Sequence, residues 1–174
     1  MGKLVLYVAQ SVDGYIAREN GAVDWLNFGE GEDYGFHSFF DTVEVVMMGN
    51  TTYQQVLSFE GEFPYKGKEV YVFTNDMNKQ NDEYVTFISG KLIKYIKKIK
   101  DKANGVCWLV GGGKISAFLL ENKLVDELRL FNIPILLGSG IRLFNDIKLE
   151  SKLQLDYCKE YNTGVVETVY RIVK

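Results

Sequence analysis

The residue pattern with the clearest chemical meaning is an apolar segment, Val106–Val110, that runs into three consecutive glycines and a predicted helix. The residues of this turn are Gly111, Gly112, Gly113, Lys114 and Ile115. Because glycine has no side chain, a ligand can approach the backbone closely, and the free N–H groups of a helix N-terminus favour an anion. The pattern predicts a phosphate-sized anion site, although a tight turn between a strand and a helix explains three glycines equally well.

The same design occurs earlier in the chain, where the apolar run Val45–Met48 ends in a glycine and a helix is predicted to begin. The residues of this second turn are Gly49, Asn50, Thr51 and Thr52. The threonine hydroxyls could bind phosphate oxygens or could cap the helix. Two strand–glycine–helix units in one domain make a dinucleotide pyrophosphate a natural shared ligand.

Polar residues follow two more predicted strands. Thr74 and Asn75 come after Val70–Phe73, and at the end of a parallel strand such residues point into a ligand crevice or form an ordinary turn. Asp13 follows the first strand, where it could form an Asx turn or place a carboxylate near a substrate nitrogen. The long glycine-rich segment Gly21–Gly35 contains Trp25, and its length predicts a wall of a functional site.

Alternating strands and helices must position these residues. Apolar runs predict strands at Leu4–Ala9, Val43–Met48, Glu69–Thr74, Tyr84–Ile88, Val106–Val110 and Glu127–Leu137, and a terminal hairpin of Leu153–Glu160 and Val165–Val173. Helices are predicted at Asp33–Asp41, from Thr51 to Leu57, between an N-cap at Ser89 and Asn104-Gly105, and at Lys114–Glu121. This order predicts an α/β fold with a mainly parallel sheet, an antiparallel C-terminal hairpin and helices on both faces.

The 174 residues suit a single domain spanning 1–174. A net charge of −3 argues against a nucleic-acid partner, and the basic run Lys91–Lys102 is interpreted as the solvated face of a helix. No apolar stretch reaches the roughly 20 residues that span a bilayer, so the cytoplasm is the expected compartment. With the single histidine His37 and the distant cysteines Cys107 and Cys158, both expected to be small buried residues, no metal site is predicted.

Four motifs occur in an order that resembles a known family. They are Ser11–Ala17, Gly49–Tyr53, Gly111–Ile115 and Leu136–Phe144. Their order resembles the C-terminal reductase domain of the bacterial bifunctional riboflavin-synthesis deaminase/reductase, within the dihydrofolate reductase superfamily, and the likeness covers nearly the whole chain. The resemblance implies a dihydrofolate-reductase-like fold and an NAD(P)H-dependent reductase that transfers hydride to a small heterocyclic substrate, such as 5-amino-6-(5-phosphoribosylamino)uracil.

The resemblance also implies where the ligands bind. The two glycine turns should hold the pyrophosphate of a nicotinamide cofactor, usually NADPH, with a cis peptide between Gly111 and Gly112. The adenosine ribose should lie beside Thr74 and Asn75, and the nicotinamide near Ala9 and Ile16. The substrate should lie near the first helix and near Asp13, the best catalytic residue, unless water is the acid. Its other expected contacts are Trp25, Tyr34 and Phe36, and such proteins are expected to be homodimers.

Three departures from the family pattern carry predictions. The family often has arginine where this chain has Asn50, and a basic residue where it has Asn75. Arginine is the natural clamp for a 2′-phosphate, so its absence predicts a weak preference for NADPH over NADH. The first helix, around Phe36–Phe40, lacks the arginines that resemble a clamp for the substrate's ribose phosphate. Dihydrofolate or pterin reduction, with a carboxylate such as Glu32 or Asp33, and nucleotide binding without catalysis are the alternatives.

Overall fold

The computed structural model describes residues 1–27, 31–145 and 147–173. The strands within these ranges are β1 Lys3–Ser11, β2 Tyr15–Ala17, β3 Val43–Gly49, β4 Glu69–Phe73, β5 Thr86–Ile88, β6 Val106–Gly111, β7 Glu127–Ile133, β8 Ile141–Arg142, β9 Leu153–Glu160 and β10 Val166–Ile172. The α-helices are α1 Phe36–Thr42, α2 Asn50–Leu57, α3 Leu92–Lys102 and α4 Gly113–Glu121, and Asp24–Leu26 forms a 3-10 turn.

Eight strands form one sheet in the order β5-β4-β3-β6-β1-β7-β10-β9. The strands from β5 to β7 are parallel to one another, whereas β10 is antiparallel to β7 and β9 is antiparallel to β10. The short strands β2 and β8 pair separately. The predicted α/β class, with its parallel sheet and antiparallel C-terminal hairpin, is therefore confirmed.

The two faces of the sheet carry separate parts of the core because side chains alternate along each strand. On β1, Leu4 and Leu6 point to the face that α3 and α4 cover with residues such as Ile96 and Leu119. Val5 points to the other face, which α1 and α2 cover with Phe39, Tyr53 and Val56. Both faces are therefore packed, as a parallel sheet requires.

Helix α3 differs from its prediction at its N-terminus and at one lysine. Lys91, with a left-handed φ of 42°, is the N-cap residue and no side chain caps the helix, so the predicted Ser89 cap is wrong. The helix ends at Lys102, before Asn104. Lys100 is buried, donates to the carbonyl of Leu124 at 2.7 Å and forms an ion pair with Asp126, so not every lysine of this run is solvated.

Two more expectations are corrected near the C-terminus. Strand β7 ends at Ile133 rather than at Leu137, because Pro134 follows and lacks the N–H that a central strand needs. Cys107 is buried in β6 as expected, but Cys158 is exposed. It lies on β9, the last strand of the sheet, along which every residue is exposed.

Candidate active site

The two glycine turns meet at one edge of the sheet because β3 and β6 are parallel neighbours. A Cβ atom at Gly112 would lie 3.4 Å from Oγ1 of Thr52, and one at Gly49 would lie 3.7 Å from the Ile115 side chain. The turns therefore form one cradle whose walls are backbone and whose floor has no room for large side chains. We call the residues 49–52 and 111–115 the glycine cradle.

The backbone of the glycine cradle has an unusual conformation. The peptide bond between Gly111 and Gly112 is cis, as the family resemblance implied, and Gly111 has a φ of +126° that favours glycine. At Gly113, the first residue of α4, a Cβ atom would lie 2.4 Å from the carbonyl oxygen of Arg142. The helix N-terminus is thus pressed against the loop that contains β8, and only glycine fits between them.

Polar groups of the cradle lack protein partners. Helix α2 has no side-chain N-cap bond, so the threonine hydroxyls at 51 and 52 do not serve as its cap. The Oδ1 atom of Asn50 is buried and accepts no hydrogen bond from the described residues. Because buried acceptors in folded proteins are nearly always satisfied, this orphaned oxygen points to a ligand or water at the cradle.

The carboxyl ends of β4 and β5 extend this edge beyond the cradle. The backbone N–H of Thr74 donates to the carbonyl of Ile88 at 3.0 Å, which places Thr74 and Asn75 beside the Ser89–Lys91 segment. The Thr74 hydroxyl accepts the N–H of Asp76 at 3.1 Å and so shapes an ordinary turn. Lys79 lies 5.2 Å from the centre of the Phe87 ring, and Lys91 is exposed.

Ala9 and Ile16 lie on different sides of the sheet edge. Ala9 packs against the cluster that contains Trp25 and Phe131, whereas Ile16 packs against the core under α3 and α4. The structure therefore brings Ala9 to the expected substrate residues, and Ile16 approaches the same edge from the opposite face.

Trp25 and Tyr34 pack in the same cluster as Ala9, and Phe36 adjoins that cluster through Tyr7, with ring centroids 6.1 Å apart. We call Trp25, Tyr34 and Phe36 the aromatic wall, and their contact with a substrate stays a prediction. Trp25 is 5% exposed, and its indole Nε1 donates to no group among the described residues. The Tyr34 hydroxyl donates to Oγ1 of Thr163 at 3.2 Å, which ties the wall to the loop before β10. Phe36 packs edge-on against Trp108, with their ring centroids 5.7 Å apart.

Tyr7 is the member of this wall that sequence reasoning missed. Its ring stacks on Phe39 at 4.2 Å and also contacts Phe131 and Trp108, at 4.8 and 5.9 Å. Burial raises the pKa of its hydroxyl well above the ordinary value, and the nearby Glu167 carboxylate raises it further. A tyrosine in an apolar strand is usually a core residue and gives no signal of a site. Only the alternation of side chains along β1 could have placed Tyr7 on the same sheet face as the wall.

Asp13 has a structural role at the edge of the site. Its carboxylate accepts the backbone N–H groups of Leu137 and Gly138 at 3.1 and 2.8 Å. The hydrogen bond from the Ser11 hydroxyl, followed by these backbone bonds, lowers the pKa of the carboxyl to about 2. Asp13 is therefore ionised at neutral pH and anchors the loop after β7, while its contact with a substrate stays a prediction.

The described part of the chain offers neither a metal-binding cluster nor a membrane-spanning helix. None of its His, Cys, Asp and Glu side chains gather in groups of three or more that could hold a metal ion. Within the same ranges, the helices are all too short or too polar to span a membrane.

Comparisons with known proteins identify the family to which the chain belongs. Residues 2–167 match the family model described as the RibD C-terminal domain. An uncharacterised Bacillus subtilis protein, YwjB, is 38% identical over 164 residues, which cover 94% of each chain. A putative riboflavin biosynthesis protein from Shewanella sp. PV-4 has a crystal structure that matches the whole of both chains, with 30% identity and a TM-score of 0.89.

The fold is also that of dihydrofolate reductase. The Enterococcus faecalis enzyme, solved as a complex with NADP(H), matches 99% of this chain and 97% of its own, with 18% identity and a TM-score of 0.70. The family resemblance inferred from the four sequence motifs is confirmed by the family match and by the shared fold. The chain belongs to the RibD C-terminal domain family and has the dihydrofolate-reductase-like fold.

Proposed function

We propose that this protein is a reductase that binds NADPH, or NADH, in the glycine cradle and reduces a small heterocycle bound against the aromatic wall. The observation that carries the proposal is the meeting of two strand–glycine–helix turns beside an orphaned buried acceptor at Asn50. Helix N-termini and close-approach glycines suit a pyrophosphate, and family membership supports a reductase. The reaction takes place in the cell interior, where reduced nicotinamides are available, so we place the protein in the cytoplasm.

The residues present fit such a cofactor. The backbone of 111–115 and the hydroxyls of Thr51 and Thr52 would hold the pyrophosphate, and Thr74 and Asn75 would contact the adenosine ribose. Ala9 offers a flat, side-chain-poor surface for the nicotinamide, with Ile16 behind the same edge. When bound, the reduced cofactor supplies the hydride. The chain's own residues orient it, and the buried Nε1 of Trp25 offers a donor to the substrate ring.

The source of the proton follows from the pKa of Asp13. A carboxyl whose pKa is about 2 holds no proton at neutral pH, so it cannot act as the acid. We propose that a water molecule at the exposed edge of the site delivers the proton, and that Asp13 holds the loop after β7 in place. A mechanism in which a carboxylic acid donates the proton needs a carboxyl whose pKa is raised towards neutral pH. Proton delivery by water needs no such group.

Substitution of Gly112 tests the cradle. A valine there would place a branched side chain into the space between the two turns. Its Cβ atom alone would lie 3.4 Å from Oγ1 of Thr52. We expect Gly112→Val to weaken NADPH binding at least about tenfold, which corresponds to roughly 1.4 kcal/mol. Thr52→Ala should cost about 0.5–1.5 kcal/mol if its hydroxyl makes a neutral hydrogen bond, and more if its partner is phosphate.

Both variants need a fold control, which circular dichroism and the melting temperature provide. A folded Gly112→Val protein with wild-type NADPH affinity would contradict the cradle as a pyrophosphate site. A turnover assay distinguishes a reductase from a protein that binds the cofactor without catalysis. A reductase oxidises NADPH when a reducible heterocycle is added, whereas a binding module binds the cofactor and leaves it unchanged.

We also propose that two copies of the chain assemble through β9. This edge strand presents Leu153, Leu155 and Tyr157, and Leu155 is 53% exposed. An exposed apolar edge strand is a site of strand pairing unless another chain covers it. In analytical ultracentrifugation, we expect the wild-type protein to sediment as a dimer and the Leu155→Glu variant to sediment as a monomer. A wild-type monomer at micromolar concentration would contradict this proposal and leave the cradle unaffected.

A further inference from the structure

We infer that the substrate is a flat nitrogen heterocycle, neutral or cationic, that carries no phosphate. This inference rests on the proposed function and specifies its substrate class. It departs from the phosphorylated substrate that the family resemblance implies. The observations behind it are the charge of the segment between β1 and β3, the pairing of the cations around the aromatic wall, and the chemistry of the wall itself.

The substrate side of the site is built from an acidic segment. Residues 13–42 contain seven aspartates and glutamates but one arginine, Arg18, and no lysine. Arg18 is already paired, because its Nε and Nη2 donate to the two carboxylate oxygens of Asp24 at 2.7 and 2.9 Å. Such a bidentate pair uses the guanidinium geometry that would otherwise bind a phosphate. The segment therefore repels an anionic group instead of binding it.

The cations that other elements bring to the wall are also engaged. Arg129 on β7 forms an ion pair with the buried Glu167 at 3.1 Å, and its guanidinium lies 5.6 Å from the centre of the Phe39 ring. Lys159 lies over the ring of Tyr161 at 4.1 Å. A phosphate bound here would have to compete with a buried carboxylate for Arg129, which would leave Glu167 unpaired.

The wall itself suits an uncharged or cationic ring. Trp25, Tyr34 and Phe36 offer flat aromatic surfaces, and the orphaned indole Nε1 can donate to a ring nitrogen or carbonyl. Asp33 precedes Tyr34 in the chain and is exposed, and the backbone N–H of Gly35 together with His37 lowers the pKa of its carboxyl. Aromatic faces and an ionised carboxylate favour a cation and disfavour an anion.

Matched ligands that differ only by a phosphate test the inference. We would titrate 5-amino-6-(ribosylamino)uracil against its 5′-phosphate, and neopterin against its monophosphate, by calorimetry with and without NADP⁺. The expected result is that the unphosphorylated member of each pair binds at least about tenfold more tightly. Tighter binding of the phosphorylated member in either pair would overturn the inference, and so would failure of all four rings to bind.

A pair of variants makes the test specific to this site. Asp24→Asn removes the carboxylate partner of Arg18, so the ratio of the two dissociation constants should fall about threefold or more, because the one guanidinium of the segment 13–42 is then free to bind a phosphate. Glu62→Gln is the control, since it frees Lys66 from an exposed ion pair that lies outside the segment 13–42 and outside β9, and it should not change the preference. An unchanged preference in Asp24→Asn would contradict the electrostatic argument. A protein that does not bind NADP⁺ contradicts the proposed function instead, while the titrations without cofactor still test the phosphate preference.

Discussion

The glycine cradle and the aromatic wall differ in which part of the chain forms them. The cradle is made of backbone, with glycines at positions where a side chain would meet Thr52 or the Arg142 carbonyl. The wall is formed by the side chains of Trp25, Tyr34 and Phe36, which belong to a segment of the sequence rich in acidic residues. A backbone surface can be complementary in shape to a ligand, but substitutions change its charge very little.

This difference teaches how one fold can keep a cofactor and change a substrate. The shape of the cradle depends on backbone geometry, and at Gly113 even one added methyl group would force the backbone to move. The wall depends on rings and charges that single substitutions can alter without disturbing the sheet. Under the proposed function, the turns determine the cofactor class, whereas the side chains between β1 and β3 determine the substrate class.

The largest expected effect comes from adding one methyl group to the cradle. In Gly113→Ala the new Cβ would lie 2.4 Å from the carbonyl oxygen of Arg142, so either α4 or the β8 loop must shift. Overpacking against backbone costs about 1–3 kcal/mol, and for a chain of this size each kcal/mol lowers the melting temperature by about 2–4 °C. We expect a decrease of about 2–12 °C by differential scanning calorimetry.

Gly49→Ala is the matched control for this prediction. It adds the same methyl group to the other turn, where the Cβ would make an ordinary 3.7 Å contact with Ile115. Its melting temperature should stay within about 2 °C of wild type, since a contact of this length needs no backbone movement. Equal stability of Gly113→Ala and Gly49→Ala would show that the cradle tolerates side chains and would break the comparison.

A smaller effect is expected for the choice between the two nicotinamide cofactors. The 2′-phosphate needs cationic partners, and Asn50 and Asn75 offer none. We expect the dissociation constants for NADPH and NADH to differ by less than about tenfold, or 1.4 kcal/mol, when measured by fluorescence titration. Asn75→Arg should then raise the affinity for NADPH and leave that for NADH unchanged.

An affinity for NADPH a hundredfold or more above that for NADH would contradict this prediction. It would show that a charged side chain, and not only the backbone, contributes to cofactor binding. The exposed Lys91 at the start of α3 is then the residue to examine, because Lys79 already lies over the Phe87 ring. Loss of the preference in Lys91→Ala would identify the partner of the phosphate.

The sequence alone predicts the cradle well because its signals are local. A strand, a glycine and a helix start lie within a few residues of each other at Gly49 and at Gly111–Gly113, so periodicity and glycine placement are sufficient. The Ser89 cap failed for a local reason too, since Lys91 adopts a left-handed conformation and the helix begins after it. A capping residue type does not by itself fix which residue begins the helix.

The substrate side resists prediction because its contacts depend on strand pairing. Tyr7 lies opposite Arg129, and Glu167 lies opposite Phe131, only because β1, β7 and β10 pair in one particular register. These residues are far apart in the chain, so no window of sequence contains both partners. The buried pair of Arg129 and Glu167 and the stack around Tyr7 therefore become visible only in the folded chain.

The smallest effect, and one that concerns the substrate side, is expected from Asp13 at low pH. Its carboxyl pKa is lowered to about 2 by hydrogen bonds from Ser11 and from the loop after β7, compared with about 3.9 in an unfolded chain. A lowered pKa in the folded state means that the stabilisation is present above about pH 4 and is lost as the pH falls towards 2. Asp13→Asn removes this titration, so we expect the variant to be less stable than wild type at pH 6 and the difference to shrink between pH 4 and 2. Urea denaturation at several pH values measures it, with Asp101→Asn, an exposed carboxylate on α3, as the control. A stability difference that does not change with pH would show that the Asp13 carboxylate does not hold the loop through its charge.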